Sequence, residues 1–213
     1  MKKSICLLFI SFSLLKLQAQ TRIGISAGVH LSDLSSSTTG VDASPSTLFH
    51  GGVDVDMKIP RSNFEVLIQA LYTVNGYQSS NIIAIDKTGE NIGYIENEKL
   101  GYIQVPALLL YRFDVSKASW KLGLGPYGAI QTNEKMQIKY GDTFGNNVLF
   151  PTGTSGAASV LGGAEAYACL QLSKFFISAQ LDHSFSNIYQ DISNNNTKWK
   201  INTIGISLGY FLK

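Results

Sequence analysis

The segment Phe49-His-Gly-Gly-Val-Asp-Val-Asp-Met-Lys-Ile59 alternates strictly between two kinds of side chain. Its odd-numbered positions are apolar or glycine, and the positions between them include a histidine, two aspartates and a lysine. Successive side chains of a β-strand point to opposite faces of the sheet. This pattern therefore predicts a strand with one apolar face and one charged face.

The same alternation recurs along the chain, whereas no segment has the period of an amphipathic helix. Because no helix can cover the apolar faces, we expect the strands to close into a barrel with lipid outside and a polar interior. The predicted fold is all-β, a single closed antiparallel up-and-down transmembrane β-barrel of about eight strands. The predicted strands are residues 22–32, 48–59, 64–77, 100–113, 120–131, 158–172, 175–183 and 199–212.

The segments between the predicted strands alternate in length. Long polar connectors at residues 33–47, 78–99, 132–157 and 184–198 alternate with tight turns at residues 60–63, 114–119 and 173–174. Bacterial outer-membrane barrels have long extracellular loops and short periplasmic turns. We therefore expect both chain termini to lie in the periplasm.

The amino terminus has the features of a secretory signal peptide. Lys2 and Lys3 precede an apolar stretch at residues 5–15, which is too short to span a bilayer, and Leu17-Gln-Ala19 resembles a cleavage site. We expect residues 1–19 to be a signal peptide and residues 20–213 to form an outer-membrane β-barrel domain. The predicted location is the cell outer membrane.

Charge and cysteine content exclude several classes of function. Removal of the signal peptide takes away Lys2, Lys3 and Lys16, so the 17 basic residues fall to 14 against 15 acidic residues. A chain without clustered basic residues is not expected to bind nucleic acid. Cys169 is then the sole cysteine, which excludes an internal disulfide and a cysteine-based metal site. We expect no cofactor.

Several motifs lie at the corners of the predicted barrel. They are Tyr102-Ile-Gln-Val-Pro-Ala-Leu-Leu-Leu-Tyr-Arg-Phe113, Gly125-Pro-Tyr-Gly128, Ser186-Asn-Ile188 and Ile206-Ser-Leu-Gly-Tyr-Phe211. Together with the opening Gly24-Ile-Ser-Ala-Gly-Val-His-Leu31, they resemble the PorT-like outer-membrane β-barrel proteins of Bacteroidetes. The resemblance spans essentially the whole mature chain. It implies an outer-membrane barrel and, as for the family's namesake, a role in protein secretion.

Nine ionisable residues are predicted to face the interior, with His30 and His50 nearby. The barrel topology places the four cations and Glu65 near the periplasmic end, and the other acids nearer the middle and outer half. One interpretation is a cation-binding or proton-relay cluster, and the other is a salt-bridged plug, because isolated buried ions are costly. The predicted luminal charge network consists of Arg22, Asp54, Asp56, Lys58, Glu65, Arg112, Lys121, Glu165 and Asp182.

The sequence favours a non-enzymatic barrel with a side-chain-filled lumen. Its long loops, especially residues 78–99 and 132–157, are predicted to bind envelope or secretion-system proteins. We expect the protein to be a monomer surrounded by outer-membrane lipids. The alternatives are a narrow solute channel, a lipid A-modifying enzyme and a soluble lipocalin-like barrel. The enzyme hypothesis rests on His183-Ser-Phe-Ser-Asn187, but a histidine and serines one or three residues away lie on opposite faces of a regular strand.

Overall fold

The computed structural model describes residues 21–36, 43–85, 91–140, 143–150, 158–188 and 199–212 of the 213-residue chain. The predicted signal peptide at residues 1–19 lies outside these residues. The described residues form nine strands: β1 (Thr21–Ser36), β2 (Ala43–Lys58), β3 (Phe64–Ile85), β4 (Asn91–Val115), β5 (Ala118–Tyr140), β6 (Thr143–Phe150), β7 (Val160–Leu172), β8 (Phe175–Ser184) and β9 (Trp199–Phe211). None of these residues belongs to a helix long and apolar enough to cross a membrane.

Eight of the strands close into an antiparallel barrel. Their order is β4, β3, β2, β1, β9, β8, β7 and β5, and pairing between β4 and β5 closes the ring. The carboxyl-terminal strand β9 pairs with β1 from Gly24 to Ser36, so the two ends of the barrel sequence meet edge to edge. Closure leaves no unpaired strand edge in the ring, whose backbone N–H and C=O groups could not form hydrogen bonds with lipid. The predicted fold class is confirmed.

The strands β3, β4 and β5 are longer than the sequence pattern predicts. The strand pair β3–β4 continues to Ile85 and Asn91, and β5 continues to Tyr140 before β6 returns along it. Much of the two connectors predicted at residues 78–99 and 132–157 is therefore strand. A part of a strand that projects out of a membrane needs no continuous apolar face. Its sequence therefore does not show the alternation that is expected of the membrane-spanning part.

The two ends of the barrel differ. One end, here called the turn end, carries Thr21, Leu212 and the three tight turns at residues 59–63, 116–117 and 173–174. Each turn contains a residue with positive φ, namely Arg61, Ser116 and Ser173. The opposite end, here called the distal end, carries the prolonged strands β3, β4 and β5 together with β6.

The outward face of the barrel is apolar, as the alternation predicts. On β9, for example, Ile204, Ile206 and Leu208 are more than half exposed. The alternation also predicts outward-facing residues on the other strands, and those of β1, β3, β4 and β9 are exposed or half-buried, except Val74, which is 8 % exposed. They are Ile23, Ile25, Ala27, Val29 and Leu31 on β1; Phe64, Val66, Ile68, Ala70, Tyr72 and Val74 on β3; Ile103, Val105, Ala107, Leu109, Tyr111 and Phe113 on β4; and Ile204, Ile206, Leu208, Tyr210 and Leu212 at β9. Aromatic pairs mark both ends of this apolar band: Phe64–Tyr111, Phe113–Trp120 and Phe175–Tyr210 at the turn end, and Phe49–Tyr72 at the distal end.

The interior is filled by side chains at two levels. An apolar cluster near the turn end, here called the turn-side plug, consists of Leu67, Leu108, Leu110, Tyr167, Cys169, Phe176 and Phe211. A second cluster, here called the distal plug, consists of Leu34, Tyr77, Leu100, Tyr102, Tyr127, Ala129, Leu161, Ile188 and Ile201. The cavity bordered by the turn-side plug measures about 10 Å³, which is at the lower limit for one water molecule.

Candidate functional site

The charged interior residues nearest the turn end form one ion-paired group, here called the turn-end cluster, of Arg22, Asp56, Glu65, Arg112 and Lys121. The ammonium of Lys121 lies 2.7 Å from a Glu65 carboxylate oxygen and also contacts Asp56. Arg22 lies 2.6 Å from Asp56 and 3.5 Å from Glu65, and Arg112 lies 3.3 Å from Glu65. Three cations thus surround two carboxylates that are almost completely buried.

Strand register and an aromatic ring hold this cluster together. Arg22 pairs with Asp56 across β1 and β2, and Arg112 pairs with Lys121 across β4 and β5. The ring of Phe211, part of the turn-side plug, lies 4.7 Å from the Arg22 guanidinium and 5.5 Å from the Lys121 ammonium. The ring keeps water from one side of the cluster, and a low local dielectric strengthens the ion pairs.

The turn between β4 and β5 extends the cluster to the surface. The Arg112 guanidinium donates to Asp114 at 2.9 Å, and the Ser119 hydroxyl donates to the same carboxylate at 2.5 Å. The hydrogen bond from Ser119, followed by that from Arg112, lowers the pKa of the exposed Asp114 carboxyl. Lys58 also lies at the turn end, where it is half-buried and pairs with Glu65 in the β2–β3 register.

A second group of buried acids lies farther into the barrel, on β2, β7 and β8. The Asp54 carboxylate accepts a hydrogen bond from the Gln69 amide. Asp182 accepts hydrogen bonds from the Thr203 hydroxyl at 2.8 Å and from the Gln104 amide at 3.4 Å. No cation in the described part of the chain forms a salt bridge with these two acids.

Glu165 lies beside Asp182 and differs from it in its hydrogen bonding. The two residues are register partners across β7 and β8. Glu165 is 1 % exposed, and neither of its carboxylate oxygens accepts a hydrogen bond within the described residues. Those residues also contain no set of three or more histidine, cysteine or carboxylate side chains able to hold a metal ion. Amide and hydroxyl donors, rather than cations, thus contact Asp54 and Asp182 in this layer.

Two histidines and a serine form a continuous hydrogen-bonded chain deeper in the barrel. The Nδ1 atoms of His30 and His50 lie 3.0 Å apart, His50 Nε2 lies 2.6 Å from Ser207 Oγ, and His30 Nε2 lies 2.9 Å from the Val74 carbonyl oxygen. A carbonyl only accepts, so His30 Nε2 donates. With neutral rings, His50 Nδ1 then donates to His30, and the Ser207 hydroxyl donates to His50.

Gly28 provides the space for this chain of hydrogen bonds. It lies between His50 on β2 and Ser207 on β9 in the strand register. A Cβ atom added to Gly28 would lie 2.7 Å from His50 Nε2 and 2.1 Å from the carbonyl oxygen of Ile206. Only a residue without a side chain lets the imidazole cross β1 to reach the serine.

Replacing Gly28 by alanine is expected to lower the free energy of unfolding by about 1–3 kcal/mol, because the added methyl group collides with backbone as well as with His50. The matched control is Gly128→Ala on β5, where an added Cβ would meet nothing within 4 Å and little change is expected. Urea unfolding in lipid vesicles measures both. Equal stability of the two variants would contradict the packing described for Gly28.

The structure divides the nine predicted luminal residues into groups. Arg22, Asp56, Glu65, Arg112 and Lys121 meet in the turn-end cluster, with Lys58 at the same end. Asp54, Glu165 and Asp182 lie farther in. Asp56 was expected nearer the middle, but its register with Arg22 places it at the turn end.

Two further groups of interior residues were not predicted as sites from the sequence. The alternation places His30 and His50 only near the charged residues, and it does not predict the contact of His50 with Ser207. The acids Glu98 and Glu134, both fully buried, lie in segments predicted as connectors. Both segments continue as strands, and their pairing places the two acids on the inward face.

The histidine and serines on which the hypothesis of a lipid A-modifying enzyme rests do not form a catalytic pair. His183 is exposed and its Nδ1 lies 2.6 Å from the Asn202 side-chain oxygen. Ser184 is buried on the opposite face, where its hydroxyl accepts from the Ile201 N–H at 2.9 Å. The Ser186 hydroxyl accepts a hydrogen bond from the Gly162 N–H at 2.9 Å. No hydrogen bond joins His183 to either serine among the described contacts.

The chain is similar to several solved structures. The solved structure of Neisserial surface protein A has a TM-score of 0.46 and 12% identity, with 88% of this chain and 96% of that chain covered. For Ail, the attachment invasion locus protein of Yersinia pestis, the TM-score is 0.45 and the identity 16%, with 91% and 99% covered. No curated protein sequence matches.

A model of one protein family matches most of the chain. The family is described as outer membrane protein beta-barrel domain, and the match covers residues 18–190, which include strands β1 to β8. The closed ring of eight strands, with its apolar outer face, is the architecture expected of such a protein. The chain therefore belongs to the outer membrane protein beta-barrel domain family and is an outer-membrane β-barrel.

Proposed function

We propose that the protein is a non-enzymatic outer-membrane barrel that uses its distal strands to bind other proteins, with its turn end in the periplasm. The observation that carries this proposal is the contrast between a filled interior and a sheet that continues beyond it. The interior has apolar plugs at two levels, whereas β3, β4, β5 and β6 extend the sheet at the distal end. Function in barrels commonly resides in such projecting segments.

The filled interior argues against a solute channel. Between the two plugs, the acids, amides and histidines are themselves almost completely buried. An eight-stranded barrel is only about wide enough to hold its own side chains. We expect no discrete conductance steps when the purified protein is inserted into planar bilayers. Reproducible single-channel steps, abolished by a bulky substitution in the lumen, would contradict the proposal.

The distal sheet offers a strand edge for a partner. Pairing of β4 with β5 continues to Tyr94 and Lys139, and β6 pairs with β5 from Thr143 to Phe150. Within the described residues, β6 pairs with no strand other than β5. Its other edge can accept hydrogen bonds from an added strand, which is a common way for sheets to bind extended peptides.

Capture from intact cells tests the partner-binding role. A variant lacking residues 141–150 removes β6 while the eight strands of the barrel remain. We expect this variant to keep heat-modifiable migration on gels and to lose the proteins that crosslink to the wild type. The control replaces the exposed turn residue Lys117 by serine. Identical capture by the deletion variant, with a folded barrel, would overturn the role of β6.

The enzyme alternative has less support. His183 and Ser184 lie on opposite faces, and the Ser207–His50 pair is buried in the filled interior. We expect the mass spectrum of lipid A from producing cells to be unchanged by the protein. The resemblance of the sequence to PorT-like proteins supports partners in the cell envelope, and their identity is the object of the capture experiment.

A further inference from the structure

Two lysines on neighbouring strands face outward at the distal end. Lys99 of β4 and Lys135 of β5 are register partners, and both are exposed. Like charges directly opposite each other destabilise a sheet. Neither lysine forms a salt bridge within the described residues. The adjacent residues Glu98 and Glu134 are fully buried, on the face of the sheet opposite the two lysines.

The lysines lie just beyond the apolar band of the barrel. On the same two strands, the register partners Ile103 and Ile130 are 43% and 61% exposed to lipid. Ile103 lies four residues from Lys99 on β4, and Ile130 lies five residues from Lys135 on β5. These separations are about 13–17 Å along a strand and less along the barrel axis, because the strands tilt. Both lysines can therefore reach the level of lipid headgroups.

A polar contact separates the lysines from the apolar band. The side-chain amide of Asn133 donates to the Tyr72 hydroxyl at 3.1 Å. From the centre of the band toward the distal end, this part of the surface thus presents isoleucines, then a tyrosine–asparagine pair, then two ammonium groups. A phospholipid or lipid A molecule presents acyl chains, ester and hydroxyl groups, and phosphate in the same order.

We propose that Lys99 and Lys135 bind the phosphate of a lipid headgroup in the outer leaflet, with the acyl chains lying over Ile103 and Ile130. The proposal rests on the orientation given in the proposed function, which puts the distal end outside. Phosphate carries the charge and the acceptor oxygens that two ammonium groups can share, and it relieves the repulsion between them.

A half-buried lysine elsewhere at the distal end, Lys200, provides a control. Lys200 of β9 pairs with Ser35 of β1, two residues from Asp33, so an acid lies on the same surface. Strands β1 and β9 are separated from β4 and β5 by at least two other strands of the ring. Lys200→Gln therefore removes a distal cation without touching the lysine pair.

The test measures lipid retained by the full-length mature protein in detergent micelles, using native mass spectrometry. The added lipid is bisphosphorylated lipid A or its dephosphorylated form. The wild type and Lys200→Gln are expected to retain the phosphorylated form. The double variant Lys99→Gln/Lys135→Gln is expected to bind it about 25-fold more weakly, since each lysine near a charged lipid surface contributes roughly a factor of five.

Three outcomes would overturn the lipid site: equal retention by the double variant, equal retention of dephosphorylated lipid A, or full displacement by millimolar inorganic phosphate, which would indicate a site for the free ion. Heat-modifiable migration confirms that the double variant is folded. Partner capture is scored separately, on the variant lacking residues 141–150. If the double lysine variant retains lipid A like the wild type while the deletion variant loses its crosslinked proteins, this site alone is overturned. If the double lysine variant loses lipid A while the deletion variant captures the same proteins as the wild type, the partner-binding role alone is overturned.

Discussion

Replacing Lys121 by methionine is expected to lower the free energy of unfolding by about 3–5 kcal/mol. Lys121 is 1 % exposed and contacts both Asp56 and Glu65, which are also almost completely buried. Methionine has a similar length but no charge, so packing is largely kept while two buried carboxylates lose their shared cation. Arg22 and Arg112 remain beside the carboxylates but are partly exposed, so the cost comes mainly from the loss of two fully buried contacts between charged groups.

Urea unfolding in lipid vesicles, followed by the fluorescence of Trp120 and Trp199, measures this effect. The control is Lys117→Met in the exposed β4–β5 turn, for which a change within about 0.5 kcal/mol is expected. Adding Asp56→Asn to Lys121→Met should restore part of the loss, because it removes one of the two buried carboxylates that Lys121 contacts. If Lys121→Met cost no more than Lys117→Met, the turn-end cluster would have to be hydrated.

Replacing Val53 by arginine is expected to cost about 2–4 kcal/mol, because it places a charge on the lipid face near the middle of the bilayer. Val53 is 44% exposed and lies between Ile25 and Ala70 on the outward surface. Along β2 it is about midway between Phe49, at the distal aromatic pair, and the turn at Ile59. Arginine there cannot easily extend to either lipid headgroup region.

The neighbouring residue supplies the comparison for this variant. Asp54→Asn keeps a polar group beside Gln69 in the interior and should change stability less than Val53→Arg does. Both variants are measured by the same unfolding experiment in vesicles. If Val53→Arg were harmless while Asp54→Val stabilised the protein, the two faces would be exchanged, and a soluble barrel with an apolar interior would be the better description.

The pairing of interior charges shows where prediction from sequence stopped. Alternation placed Asp54 and Asp56 correctly on the same face of β2, since parity along a strand is a local property. Their partners differ: Asp56 meets Arg22 and Lys121, whereas Asp54 meets the Gln69 amide. Two side chains meet across a barrel only if the register of every strand pair between them brings them to the same level. The alternation of odd and even positions along one strand does not specify that register.

The amino-acid sequence by itself determined the class of fold, the lipid-facing and interior faces of the membrane strands, and the three tight turns. These features depend on residues close together in the chain and on the need to satisfy backbone groups in lipid. Tertiary structure alone decided the turn-end cluster, the lengths of β3 to β5, and the passage of His50 over Gly28 to Ser207, 157 residues away. Such contacts arise only when the closed ring brings distant strands into register.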